Sequence, residues 1–140
     1  MTSQLNVDTI KGKSSETSIS IQGEGSATTN LQQGLSKKWL YFDGQTTTVI
    51  KDSFNCSSIS DNGTGDTTTN MTSAFNSAFY SLTASGTYGS TNYPRSLSGA
   101  GNDAINTSYI RLYSGTNAGM EDLKYNMLSI NGDLAKWQVN

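Results

Sequence analysis

This 140-residue chain has no histidine, one cysteine (Cys56), eleven acidic and nine basic residues, so it has few groups with which to do covalent or acid–base chemistry. Without histidine the usual nucleophile–base triads are closed. Cys56 lacks an imidazole partner and lies in an alternating apolar stretch, where a thiol serves as a small buried hydrophobe. The carboxylates show no sequence pairing of the kind that splits into general acid and base. Asp61 to Asp66, DNGTGD, carries two carboxylates among glycines but no later glutamate at the spacing of a calcium loop. It reads first as a tight turn and only second as a cation site. GEG and GAG are not followed by the lysine and helix of a phosphate loop. Catalysis, a bound metal and a cofactor are therefore not expected.

Recognition is the chemistry left open. The stretch TYGSTNYPR, from Thr87 to Arg95, mixes rigid aromatic area with adaptable hydrogen-bonding groups, as binding loops do. Tyr88 and Tyr93 could stack on the apolar face of a sugar while Asn92 and Arg95 address its hydroxyls. The competing reading packs both rings onto the domain's own sheet. The whole connection from Thr87 to Asp103 reads as a long loop without regular structure, and such loops are commonly functional.

The elements that must carry this loop are sparse. Leu, Ile, Val and Phe together number 25, a thin supply of core, but the formal charge is only −2, too low to drive disorder. Thin cores are supplemented by disulfides, metals or assembly. A single cysteine excludes an internal disulfide, so assembly remains. Ser and Thr number 39, beside 13 Asn and 14 Gly, the vocabulary of strands and turns. Basic residues are scattered, so no nucleic-acid footprint is expected. No apolar run suggests a signal peptide or membrane insertion. The Asn-x-Ser/Thr triplets at Asn55, Asn62, Asn70 and Asn106 are read as turn and strand residues.

Alternation then predicts the strands. Leu5 and Val7, and Ile19 and Ile21, form two weak runs in residues 1–23, expected to lie against neighbouring chains. Trp39 to Phe42 enters a β region, Asp43-Gly44 turns, and residues 46–50 return. Residues 53–60 place Phe54 and Cys56 on one face, with a bulge near Ser57 or Ser58. Phe75 and Phe79, four apart, are expected to anchor a short turn together. Tyr80, Leu82 and Ala84 share a face, as do Ile110 and Leu112, and Leu128 and Ile130. Trp137 is expected to dock on a neighbour.

One segment reads as helix. Leu31, Leu35 and Trp39 sit at i, i+4 and i+8, a narrow stripe capped by Thr29 or Asn30. So short a helix is marginal alone, which predicts a homotrimer with Leu31 and Leu35 on its axis and Trp39 bracing them. The expected architecture is all-β: an antiparallel β-sandwich head over 41–140 preceded by a strand-and-helix stem over 1–40.

LNVDTI followed by GEG, then TNLQQGLSKKW and DSFNCSSISDNGTGD, together resemble a recurring tail-fibre-like structural protein of tailed phages of marine bacteria and cyanobacteria. The resemblance covers residues 4–80 and loosens from Ser81 onward. It implies a virion component made in the host cytoplasm: a trimeric tail-fibre tip or short spike, bound to other virion proteins through residues 1–23 and reaching a host surface glycan. The chain begins at the stem without a long shaft, which leaves open a capsid or tail decoration or adaptor. A free trimeric lectin-like carbohydrate-binding module is the remaining alternative.

Overall fold

The computed structural model describes residues 5–11, 19–22, 26, 28–31, 35–89, 95–99, 104–116 and 118–132. The chain divides into two units, Met1–Leu35 and Ser36–Asn140. In the first, β1 (Ser20–Gln22) pairs antiparallel with β2 (Thr28–Asn30), and the N–H of Leu31 closes onto the carbonyl of Ile19 at 2.9 Å. Leu5, Val7 and Ile10 are exposed in a segment that forms no strand despite its alternation, and Ile21 is exposed on β1.

The helical expectation does not hold across this junction. Leu31 follows β2 in helical conformation, but Trp39 lies within β3 (Ser36–Asp43). Residues 32–34 lie outside the described residues. Leu31, Leu35 and Trp39 therefore do not make one helical stripe. The physical reason is the period-2 pattern of Lys38, Leu40 and Phe42, which bury on one face of β3 while Trp39 is exposed on the other. Three large apolar side chains at helical spacing are outweighed by the continuous alternation of buried and outward residues from Lys38 to Phe42.

The second unit is all-β. One antiparallel sheet has the order β4 (Val49–Phe54), β3, β11 (Tyr125–Asn131), β7 (Ser81–Thr87). In the other, β5 (Ser58–Gly63), β6 (Asp66–Asn70), β9 (Tyr109–Thr116) and β8 (Ser96–Gly99) are neighbours, and β10 (Gly119–Met120) folds back on the end of β9. Leu40, Phe42, Leu128 and Ile130 from the first sheet meet Ile110, Leu112 and Leu97 from the second, with Met71 and Phe75 filling between. This is the two-layer solution of a β-sandwich, each strand burying alternate residues. A bridge between Gly86 and Arg95 joins β7 to the start of β8, so the sheets meet along that side.

Three local expectations are corrected. Residues 53–60 are not one bulged strand: Asn55 turns the chain at φ 55°, and β4 and β5 belong to different sheets. Asparagine tolerates that conformation, and its amide ties the corner, donating to the carbonyls of Lys37 (3.1 Å) and Ser73 (3.0 Å) and accepting from the Ser73 N–H (2.7 Å). Phe75 is buried against Tyr80, but Phe79 is 92 % exposed, so the two do not anchor together. The connection from Thr87 to Asp103 is not structureless, because it contains β8, whose Leu97 is buried in the core. Trp137 lies outside the described residues.

Between the sheets sits a charge. Lys38 is completely buried, and its ammonium donates to the carbonyl (3.2 Å) and hydroxyl (3.0 Å) of Thr69 and to the carbonyl of Asn70 (3.2 Å). Three acceptors satisfy all three of its protons, which is what makes a buried ammonium tolerable. Burial still pushes its pKa down to about 8, while the Cys56 thiol beside it pulls the other way. Lys38 thus clamps β3 of one sheet to β6 of the other.

Candidate functional site

The register of the first sheet fixes what its outer face carries. Trp39 is opposite Phe54 on β4 and Ser129 on β11, and Tyr41 is opposite Asp52 and Met127. Val49 closes the far row beside Asp43, while β7 contributes Thr83 and Ser85. Trp39, Phe54, Val49 and Met127 are between 37 and 52 % exposed, a concentration that single scattered apolar residues would not give. Tyr41 and Tyr125 stack at 6.3 Å, and the Lys124 ammonium stands 5.4 Å from the centre of the Tyr125 ring. An aromatic face therefore lies on the solvent side of this sheet.

A second feature lies at the end of the sandwich opposite to the paired Ser36 and Asn131. Here a cleft of about 470 Å³ is walled by Gln45, Thr46, Thr64, Tyr88, Glu121 and Asp122, with Met120 at its side. Its walls come from four separate connections, two of which, the β5–β6 turn and the segment after β10, are tied together by Gly65. The Gly65 N–H donates to Asp122 Oδ1 at 2.6 Å, and its carbonyl accepts from the Ser114 N–H at 2.8 Å. At φ +69° a side chain is strained, and a Cβ here would stand 2.7 Å from the Glu121 backbone nitrogen, so glycine is required.

The opposite wall is held under tension. Thr46 has φ 61°, and the Thr47 N–H donates to the Gln45 carbonyl at 2.6 Å, which is the rarer positive-φ form of the γ-turn. For a β-branched residue this conformation costs about 1–3 kcal/mol. The Gln45 amide also reaches the Tyr88 carbonyl at 3.5 Å.

Two of the four residues expected to bind come together at this end. Arg95 lies 5.9 Å from the centre of the Tyr88 ring, and its Nε faces Glu121 Oε2 at 2.7 Å. That contact is an ion pair without the alignment of a hydrogen bond, since neither atom has a hydrogen-bond partner. Arg95 is thus mostly buried and engaged with Glu121 rather than free to meet a ligand. Asn92 and Tyr93 lie outside the described residues. Of the expected interface residues, Leu31 is half-buried, Leu35 exposed, and Trp39 sits on the aromatic face.

No family model, curated protein or solved structure matches this chain. Its surfaces alone carry the functional reading. Among the described residues no group of three or more His, Cys, Asp or Glu could hold a metal ion, and no helix is long and apolar enough to cross a membrane. Gln45, Thr46, Thr64, Glu121 and Asp122 were not singled out from the sequence as binding residues. DNGTGD and the Asp43-Gly44 turn marked where two of these connections lie, but not that they converge.

Proposed function

We propose that this chain is a homotrimeric structural appendage of a virion, a short spike or tail-fibre tip, attached through residues 1–23 and working by surface contact. The observation that carries this reading is the outer face of the first sheet, where Trp39, Phe54, Val49 and Met127 are exposed together on a domain whose core is otherwise closed. Its occupant in this reading is a second copy of the chain. Four strands about 4.8 Å apart and seven residues rising about 3.3 Å each span roughly 440 Å² in plan, against about 800 Å² per partner in a standard interface. The face supplies the apolar centre of such an interface. Aromatic side chains at the centre with hydroxyls and charges at the rim is the usual anatomy of such contacts.

The test has two parts. Light scattering on the purified full chain should give three times the 15.0 kDa chain mass, and cryo-EM of intact particles should place the chain on their surface. Deleting residues 1–23 should leave the sandwich folded, since it forms a separate unit, and prevent incorporation into particles. A stable wild-type monomer absent from particles would overturn the reading. A free carbohydrate-binding module is the second reading, favoured by the polar cleft, and would bind glycan as well without residues 1–23 as with them.

A further inference from the structure

We propose that the cleft between the β3–β4 and β5–β6 turns and the segment after β10 is a subsite for a neutral or amino sugar, and that it rejects acidic sugars. The inference rests on the surface-contact reading of the domain and adds to it the ligand class and the residues.

The chemistry follows from the walls. At about 470 Å³ the cleft falls in the range of small-ligand sites, roughly 300–1,000 Å³. Asp122 spends Oδ1 on the Gly65 N–H, which leaves Oδ2 without a partner among the described residues. A carboxylate oxygen so placed accepts from sugar hydroxyls, and charge-assisted bonds of this kind are roughly twice as strong as neutral ones. The Thr46 and Thr64 hydroxyls and the Gln45 amide supply donors as well as acceptors, matching hydroxyls that do both. Tyr88 adds aromatic surface to the same wall, suited to the C–H face of a pyranose.

Charge selects among sugars. The Glu121 charge is balanced by Arg95, but among the described residues Asp122 has only a neutral backbone partner, so these groups give the cleft a net negative charge. A carboxylated or sulfated sugar would bring a like charge against it, whereas an ammonium or a neutral hydroxyl would not. The strained γ-turn at Thr46 adds an independent indication, because it holds a β-branched residue at the cleft wall at a cost to stability.

The experiment uses the full chain, isotope-labelled, titrated with galactose, N-acetylglucosamine, glucosamine and N-acetylneuraminic acid. Binding of at least one of the first three should perturb the amide resonances of Gln45, Thr46, Thr64, Tyr88, Glu121 and Asp122, with no perturbation from the acidic sugar. Asp122→Asn keeps an acceptor for the Gly65 N–H. It should weaken the bound sugar about tenfold while leaving melting unchanged, and Gln45→Ala should weaken it less. Perturbation centred elsewhere, preference for N-acetylneuraminic acid, or no binding by any probe overturns the proposal. Absence of binding in a chain that is trimeric and found on particles sinks the cleft alone. Sugar binding by a monomer absent from particles sinks the appendage reading alone.

Discussion

The two outer faces of the sandwich are built on the same strand geometry and differ in how their side chains are satisfied. The face of β3, β4 and β11 shows Trp39, Phe54, Val49 and Met127. On the face of β6 and β9, Arg111 meets Asp66 through both its Nε and its Nη2, and holds the Asp66 carboxyl below the usual carboxylate range. Asn62 reaches Asp66 and Thr68, and Asn70 reaches Ser58. The polar face satisfies itself sideways, group by group, and needs no cover. The aromatic face has an ion pair of its own, Lys51 with Asp43 at 3.9 Å, but Trp39, Phe54, Val49 and Met127 stay exposed there, and burying them against another molecule yields a gain. The difference shows that the outward phase of each strand, which folding leaves unconstrained, is where a function of contact can be written.

The largest expected effect comes from placing a charge on the aromatic face. Trp39→Asp should convert the proposed trimer to a monomer in light scattering while far-UV circular dichroism stays that of the wild type. Arg111→Gln on the opposite face should leave the trimer intact. If both variants assemble normally, the asymmetry of the faces has no part in assembly.

A smaller effect concerns the clamp that holds the two sheets, and hence the two faces, in place. Lys38 has a folded pKa of about 8, below its ordinary value of 10.5. Between those values the unfolded chain holds more protons than the native one, so stability rises with pH across that window, by at most about 3 kcal/mol. Tyr80 acts in the opposite sense. Burial pushes its phenol up to about 12, so above its ordinary value of 10 the unfolded chain loses the proton first and stability falls. Urea melts should therefore show maximal stability near pH 10, and the rise from pH 8 should vanish in Lys38→Met. A flat profile in the wild type would mean that the ammonium is not desolvated.

The smallest effect lies at the end of the sandwich. Thr46→Gly relieves a positive φ in a side chain that branches at Cβ, and should stabilise the domain by roughly 1 kcal/mol in urea melts. The same variant should weaken sugar binding, since it deletes a hydroxyl from the cleft wall. Loss of stability instead would show that Thr46 makes a contact worth more than its strain.

Much of the sandwich is legible in the amino-acid sequence, because inward residues recur every second position. Leu82 and Ala84, Ile110 and Leu112, and Leu128 and Ile130 face the core as their alternation requires. The Asn62 to Asp66 turn is equally local, with Gly63 and Gly65 at positive φ. Two periods competed from Leu31 to Phe42, and counting only the largest apolar residues chose the wrong one. The phase of Lys38 with Leu40 and Phe42 was the available signal for its burial. It was obscured because a lysine enters a core only when three acceptors on other strands are already in place.

Local alternation fixes the inward faces of β7, β9 and β11 and the turn from Asn62 to Asp66, since each depends on neighbours a few residues apart and on the set directions of strand side chains. The tertiary structure decided what those strands bring together. Asn55 sends β4 and β5 to different sheets, Lys38 finds Thr69, and Arg95 finds Glu121, each by contacts that no local pattern encodes. The aromatic face needs the register of β3 against β4 and β11, and the cleft needs four connections to converge at one end of the sandwich. Periodicity specifies which way a side chain points. Only the packing of the sheets specifies what it meets there.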